Sequence, residues 1–268
     1  MVNYKWCVFD LDGTLVNEDK NISKEDLESI KLLKSSGVDI FIASGRTDMF
    51  SSTYLKQIGS STPIISCNGA LIRNPDDNLI IYSKYIEKEN VLKLMEYVKS
   101  EKINYMIYTL NSMYYHITDN RVLETLHYGK TSVQPVFIED PYILKDESIL
   151  KFLIVEQHEK ISLRQAELLK MLDLQVVSSG YNLLDIMSKG ITKGKALEKL
   201  AKYYHMDFSK IIVFGDNHND IEMLNIAGLS IAMGNAVDEI KKRADFVTKS
   251  NEENGISYAI KNFILTNK

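Results

Sequence analysis

Short, mostly apolar runs alternate with helical patterns at both ends of this chain of 268 residues, and this alternation constrains the fold more than any other feature. The runs are Trp6–Phe9, Ile40–Ala43, Pro63–Cys67 and, near the C-terminus, Ile211–Phe214. A continuous apolar run of this length is typical of a strand that is buried on both faces. Strands that alternate with helices indicate a parallel sheet with right-handed crossovers. We therefore expect an α/β protein with a Rossmann-like parallel sheet at its core.

The middle of the chain follows a different pattern. Two strand-like runs, Tyr105–Leu110 and Met113–Ile117, are separated only by Asn111 and Ser112, and this spacing is typical of an antiparallel hairpin. Further strand patterns, at 150–155, 174–177 and 183–187, accompany a helical pattern near 162–172. We interpret residues 84–188 as an α+β domain that is inserted into an α/β core made of residues 1–83 and 189–268.

The composition and the charge pattern exclude several functional classes. Lys and Arg number 32, Asp and Glu number 36, and the two signs are interspersed, which argues against a nucleic-acid or acidic-membrane binder. The apolar runs are far shorter than the roughly 18 residues of a transmembrane helix. Asp10 and Asp12 interrupt the one stretch that could serve as a signal peptide. Cys7 and Cys67 lie in apolar runs, as buried free thiols of a reducing compartment do, so we expect a cytoplasmic protein.

Polar side chains that can carry chemistry directly follow the predicted core strands, and they are Asp10, Asp12, Ser44, Asn68 and Asp216. Ligands of a parallel α/β sheet bind beyond the carboxyl ends of its strands. Turn formation accounts for a single Asp, Asn or Ser, but not for two aspartates around one leucine or for the acids and amides at 216–220. Carboxylates that meet at one edge repel each other unless a cation lies among them, and oxygen ligands alone favour Mg²⁺ over Zn²⁺.

Four motifs of this chain resemble those of the haloacid dehalogenase superfamily of phosphotransferases. They are Asp10-Leu11-Asp12-Gly13-Thr14, Ser44-Gly45-Arg46, Lys193 at a helix start, and Gly215-Asp216 followed by Asn219-Asp220. The finer patterns Asn68-Gly69-Ala70 and Ala232-Met233-Gly234-Asn235-Ala236 resemble the Cof-like phosphatases of class IIB. That subfamily carries a large α+β cap between its second and third motifs, where the insert lies here. The resemblance implies a catalytic core with a cap that determines substrate specificity.

The resemblance also implies a role for each motif residue. Asp10 would be the nucleophile that forms an aspartyl-phosphate, and Asp12 the general acid and base. Ser44 and the backbone of Gly45 would hold the phosphoryl oxygens, and Lys193 would contact both Asp10 and the phosphate. Mg²⁺ would be bound by Asp10, Asp216 and the backbone carbonyl of Asp12, and Asn219 and Asp220 would orient this site and hold Lys193.

Three further residues are weaker candidates. Asn68 and Asn235 either touch the substrate or satisfy backbone groups, and Asp185 closes the last strand of the insert. The favoured function is a Mg²⁺-dependent phosphatase acting on a small phosphorylated metabolite, such as a sugar phosphate or a phosphorylated cofactor. A phosphomutase that uses the same aspartyl-phosphate is an alternative, as is a non-catalytic module that senses a phosphorylated ligand, although Asp12 weighs against the latter. The sequence leaves the substrate and the oligomeric state open.

Overall fold

The structure, a computed structural model, describes residues 3–118 and 134–265. The chain forms two compact units, the first built from Met1–Tyr82 with Thr192–Lys268 and the second from Ser83–Ile191. The second unit is thus one contiguous segment that interrupts the first, whereas the sequence places the insert at 84–188. No helix in the described part of the chain is both long enough and apolar enough to span a membrane.

The described residues contain fourteen strands. They are β1 (Trp6–Phe9), β2 (Asp39–Ile42), β3 (Ile64–Ser66), β4 (Leu71–Arg73), β5 (Ile80–Ser83), β6 (Asn104–Thr109), β7 (Met113–His116), β8 (Val136–Phe137), β9 (Ile149–Val155), β10 (Leu174–Gly180), β11 (Leu183–Ser188), β12 (Ile211–Gly215), β13 (Leu229–Ala232) and β14 (Phe246–Val247).

The α-helices of the described residues are α1 (Lys24–Ser35), α2 (Asp48–Ile58), α3 (Lys88–Ser100), α4 (His158–Met171), α5 (Lys193–Tyr203), α6 (Ile221–Ile226), α7 (Asp238–Arg243) and α8 (Gly255–Ala259). Several start where a hydroxyl side chain accepts a hydrogen bond from the backbone N–H three residues later, which satisfies an otherwise unpaired donor. Ser23, Thr47 and Thr192 cap α1, α2 and α5 in this way.

The first unit is organised around a five-stranded parallel sheet with the strand order β14-β13-β12-β1-β2. Strands β1 and β12 are buried along their whole length, as their apolar sequences predict. They pair in register from Trp6 opposite Ile211 to Phe9 opposite Phe214. The predicted α/β fold with a parallel core sheet is confirmed, and the carboxyl ends of β1, β2 and β12 meet at one edge.

The chain after α2 departs from the prediction of a third core strand at Pro63–Cys67. Strand β3 instead belongs to a separate three-stranded sheet with β4 and β5, where it runs antiparallel to β4. The backbone reverses because Cys67 and Asn68 both adopt positive φ, at 49° and 54°. A parallel bridge between Ala43 and Ile65 still ties β3 to the end of β2, and the Ser44 N–H donates to the Ile65 carbonyl at 2.8 Å, so Asn68 stays near Ser44.

The second unit is an α+β structure with a six-stranded sheet of order β10-β11-β9-β6-β7-β8. The predicted hairpin is confirmed, because β6 and β7 pair antiparallel and the Thr109 N–H donates to the Ser112 carbonyl at 3.0 Å. Helix α4 begins at His158, earlier than the pattern near 162–172 indicates, because its start lacks a side-chain cap that would mark it. Buried apolar side chains of the helices and of one sheet face, among them Leu94, Leu168 and Phe152, form the core of this unit.

Candidate active site

The turn that follows β1 brings the first aspartate beside the end of β12. The Asp10 N–H donates to the Phe214 carbonyl at 3.1 Å, which extends the pairing of the two strands by one residue. The Thr14 hydroxyl donates to Asp216 Oδ1 at 2.9 Å and so holds this turn against the residue that follows β12. Gly13 has a φ of +84°, and a Cβ at this position would lie 2.5 Å from Asp216 Oδ2. Only glycine fits a left-handed turn so close to a carboxylate.

Three aspartates and one lysine form a buried cluster at this edge of the sheet. One carboxylate oxygen from each of Asp10, Asp216 and Asp220 lies within 4.8 Å of the others. The Lys193 ammonium donates to Asp10 Oδ1 and, at 2.7 Å, to Asp220 Oδ1. The exposed fractions of Asp10, Lys193 and Asp220 are only 5%, 1% and 0%. The structure therefore brings together residues of the first, third and fourth motifs.

Both carboxylate oxygens of Asp220 accept hydrogen bonds within the protein. Its Oδ1 accepts from Lys193, and its Oδ2 accepts from the backbone N–H groups of Asp216, at 3.0 Å, and Asn217, at 3.1 Å. Lys193 is the first residue of α5, and the Thr192 cap sets where that helix starts. Asp220 thus fixes the loop after β12 and the position of the ammonium group, which leaves Asp10 and Asp216 as the carboxylates available to an added ligand.

The charges of the cluster do not balance. Three carboxylates face one ammonium group, which leaves two negative charges when all four groups are ionised. Burial raises the pKa of Asp10 well above its usual range, and Asp220 and Asp216 raise it further against the opposing effect of Lys193. Burial and the Asp220 carboxylate raise the pKa of Asp216 to about 6. Burial alone would lower the pKa of Lys193, but Asp10 and Asp220 raise it above its usual value. Such a site fits a divalent cation held by hard oxygen ligands.

The carboxylate of Asp12 lies outside this cluster and is held by two cations. Arg46 donates from Nε to Oδ2 at 2.5 Å and from Nη2 to Oδ1 at 2.9 Å, and Lys20 Nζ donates to Oδ1 at 2.9 Å. The Asp12 side chain is 37% exposed. Burial would raise the pKa of this carboxyl group, but Arg46 and Lys20 together hold it well below its usual range.

The polar residues after β2 and β3 form a connected chain. The Ser44 hydroxyl accepts from the Arg46 N–H at 3.1 Å, and the Ser44 carbonyl accepts from the Asn68 N–H at 3.0 Å. The Asn68 side-chain oxygen accepts from Asn219 Nδ2 at 3.0 Å. A Cβ at Gly45 would lie 3.1 Å from that same Asn68 oxygen, so the backbone of Gly45 runs directly past it. Ser44 and Asn68 are both buried.

Two weaker candidates have other partners. Asn235 donates from Nδ2 to the Gly13 carbonyl at 2.8 Å, and its side-chain oxygen accepts from the Asn251 N–H at 3.1 Å, so it satisfies backbone groups around the Asp10 turn. Asp185 belongs to the second unit, where it forms a buried ion pair of 2.8 Å with Lys151.

The sequence did not indicate that Lys20 contacts Asp12. The contact of Arg46 with Asp12 was not predicted either, although an arginine two residues after Ser44 is a visible signal.

The sequence model of the haloacid dehalogenase-like hydrolase family matches residues 7–260. This chain belongs to that family. It is 31% identical over 260 residues to 5-amino-6-(5-phospho-D-ribitylamino)uracil phosphatase YitU of Bacillus subtilis, with 95% of each chain covered. It is 32% identical over 262 residues to a Haemophilus influenzae protein described as a phosphatase, with 95% of this chain and 96% of the relative covered.

Solved structures of the family share the fold of both units. A haloacid dehalogenase-like hydrolase from Bacteroides thetaiotaomicron matches with a TM-score of 0.85 and 28% identity, over 96% of this chain and 98% of that one. The fold of the subclass IIB sugar phosphatase BT4131 also matches, with a TM-score of 0.82 at 23% identity, over 97% of this chain and 98% of that one. The resemblance drawn from the motifs is confirmed, and the chain is an enzyme of the haloacid dehalogenase-like phosphatases.

Proposed function

We propose that this enzyme is a Mg²⁺-dependent phosphatase that hydrolyses small phosphorylated metabolites through a phosphorylated Asp10. The observation that carries the proposal is the buried contact of Lys193 with Asp10 in a cluster that also contains Asp216 and Asp220. A purely structural ion pair would need one carboxylate for one ammonium group. The surplus of carboxylates is instead what a site for a divalent cation provides.

The proposed metal ligands are the carboxylates of Asp10 and Asp216 with the backbone carbonyl of Asp12. This set fits because Asp220 already uses both of its oxygens for Lys193 and for backbone N–H groups. When bound, Mg²⁺ supplies positive charge that reduces the repulsion between a carboxylate nucleophile and a phosphate dianion. Lys193 adds a further positive charge beside Asp10.

The proposed reaction has two steps. In the first, an Asp10 oxygen forms a bond to phosphorus while the bond between phosphorus and the ester oxygen breaks, and the protonated form of Asp12 gives that oxygen its proton and becomes a carboxylate. In the second, water attacks the phosphorylated Asp10, Asp12 accepts the proton of the water, and phosphate leaves. The Ser44 hydroxyl and the Gly45 N–H hold the phosphoryl oxygens during both steps.

We propose a substrate with a phosphorylated sugar or polyol part, including phosphorylated cofactor precursors. Support comes from the relative YitU, which is named for a substrate with a phosphorylated ribityl chain. We also propose that the second unit, residues 84–188 in the sequence analysis, selects among such substrates, since the motif residues all lie in the first unit. The buried thiols of Cys7 and Cys67 support a cytoplasmic location.

The test is hydrolysis of p-nitrophenyl phosphate in Mg²⁺ by the wild type and by Asp10→Asn. We expect the variant to be inactive, because an amide cannot form the acyl phosphate. The matched control is Asp39→Asn, an exposed aspartate at the start of β2 and at the opposite end of the sheet, which should keep wild-type activity. An Asp10→Asn protein that folds and keeps more than a few per cent of the activity would require another nucleophile.

A further inference from the structure

Residues 44–48, which run from the second motif to the first residue of α2, are held against the hairpin of β3 and β4. The Ser44 N–H donates to the Ile65 carbonyl at 2.8 Å, and the Arg46 carbonyl accepts from the Cys67 N–H at 2.9 Å. These contacts use backbone atoms only, and they hold the half of the segment that contains Ser44.

A buried ion pair holds the other end of this segment. Arg73 of β4 donates from Nε to Asp48 Oδ2 at 2.6 Å, and the two side chains are only 7% and 4% exposed. Asp48 is the first residue of α2. Arg73 is paired across the hairpin with Ile64, the neighbour of the residue that accepts from the Ser44 N–H. The same hairpin therefore contacts both ends of the segment.

Stability alone is a weak reason for a charged pair in this place. Removing two charged groups from water costs free energy that their attraction only partly repays, and well-packed apolar side chains of similar volume are often as stable. What an ion pair adds is direction, since the planar guanidinium group of an arginine binds a carboxylate in a defined geometry. The pair between Arg73 and Asp48 thus fixes the start of α2 relative to β4.

We propose that Asp48 and Arg73 position the phosphate-holding part of the second motif, so that the Ser44 hydroxyl and the Gly45 N–H meet the phosphoryl group. Both are positioning residues, because they act through the segment that joins them to Ser44 and need no contact with the substrate. Only three residues separate Ser44 from Asp48, so a shift of the helix start moves the motif directly. The inference rests on the proposed function, since it requires that Ser44 and Gly45 hold phosphoryl oxygens.

The informative variant replaces both members of the pair, as Asp48→Leu with Arg73→Met. It removes both charges, keeps side chains of similar shape and leaves no buried charge unpaired, so we expect it to unfold at a urea concentration close to that of the wild type. We expect kcat/KM to fall about 10-fold and the Ki of inorganic phosphate to rise about 5- to 10-fold, since a misplacement of about 1 Å can cost about 100-fold. The loss in kcat/KM should be equal for p-nitrophenyl phosphate and an alkyl phosphate, because both esters carry the same phosphoryl group.

The experiment measures kcat/KM, the Ki of inorganic phosphate and the urea midpoint of the full chain in Mg²⁺. It compares the wild type, Arg73→Met, Arg73→Lys and the double variant. Arg73→Met leaves the Asp48 carboxylate buried without the arginine, so it should unfold at a lower urea concentration than the double variant. The Ki does not depend on the fraction of the enzyme that is folded, so a role in stability alone would lower the rate and leave the Ki unchanged.

A double variant with the Ki and kcat/KM of the wild type would overturn the inference, as would a Ki that stays unchanged in every variant. If the double variant does not fold, Arg73→Lys decides the question. It keeps the charge but not the planar group, so a Ki raised about threefold supports the inference and an unchanged Ki overturns it.

Ser29→Ala is the control for stability. It removes a buried hydrogen bond of 2.8 Å between the Ser29 and Ser257 hydroxyls, which joins α1 to α8, so it should lower the urea midpoint and leave the Ki of phosphate unchanged. A Ki that rises in this control as well would overturn the inference, because any loss of stability would then produce the effect. An active Asp10→Asn would refute the proposed function. An inactive Asp10→Asn together with an unchanged Ki in the double variant would refute the positioning role alone.

Discussion

Replacing Asp216 with asparagine tests the charge imbalance of the cluster without any assumption about the substrate. The pKa of Asp216 is raised from the usual 3.8 to about 6 by burial and by the Asp220 carboxylate. A raised pKa means that the folded state binds the proton more tightly than the unfolded state does. The metal-free protein therefore has its full stability from this group below pH 3.8 and loses that stability as the pH rises through about 6.

The size of the loss follows from the shift in pKa. About 2 pKa units at 1.36 kcal/mol each correspond to at most about 3 kcal/mol at pH 7.5. An amide keeps the shape of the side chain and an oxygen that can accept from the Thr14 hydroxyl, but it carries no charge. We expect Asp216→Asn to be more stable than the wild type in EDTA at pH 7.5, by up to about 3 kcal/mol, with the difference shrinking towards pH 4.5.

The assay is urea unfolding followed by circular dichroism, in EDTA and in Mg²⁺, at several values of pH between 4.5 and 7.5. Mg²⁺ should stabilise the wild type, by about 2.7 kcal/mol at 100 times its dissociation constant, and should not stabilise the variant. Asp39→Asn at the exposed start of β2 controls for the substitution. If Asp216→Asn is less stable than the wild type in EDTA at pH 7.5, the carboxylate is not destabilising and the argument for a cation site at Asp216 fails.

Three further predictions concern activity and specificity. Hydrolysis of p-nitrophenyl phosphate should stop in EDTA and return with added Mg²⁺, and full activity in metal-free buffer would contradict the proposed site. Gly13→Ala should abolish activity because its Cβ would meet Asp216, whereas Gly37→Ala, with a similar φ of +87° and nothing within 4 Å, should lose only about 1–2 kcal/mol of stability and stay active. Equal activity of the two glycine variants would show that the close approach is unimportant. Replacing residues 84–188 with the insert of a related phosphatase should transfer the donor's ranking of phosphorylated metabolites, and a folded chimera with the original ranking would place specificity in the core.

The sequence was sufficient to predict the central sheet and much of the candidate site. The apolar runs at Trp6–Phe9 and Ile211–Phe214 predict buried parallel strands, and parallel strands end at a common edge. Residues that directly follow these strands, such as Asp10 and Asp216, are therefore expected at the same edge of the sheet. The alternation of strands and helices indicates that edge, whereas the strand order that makes β1 and β12 neighbours came from the structure.

The tertiary structure alone decided the course of the chain after α2. An apolar run at 63–67 indicates a strand but does not show which other strand it pairs with. The partner of β3 became β4 because Cys67 and Asn68 take left-handed backbone conformations, which neither the run nor its flanks predict. Asn68 nevertheless kept its place, since its position depends on the bridge from β3 to the end of β2.

The tertiary structure likewise decided which side chains form hydrogen bonds and ion pairs with each other. Asp220 and Asn219 are adjacent in the sequence, but one holds Lys193 and the other contacts Asn68. Lys20, which contacts Asp12, is anchored at its carbonyl by Tyr54, 34 residues later in the chain. A motif specifies residue types near a strand end, and the direction of a side chain depends on contacts between distant segments. For that reason the sequence by itself determined where the site lies, and only the folded chain determined how its charges are paired.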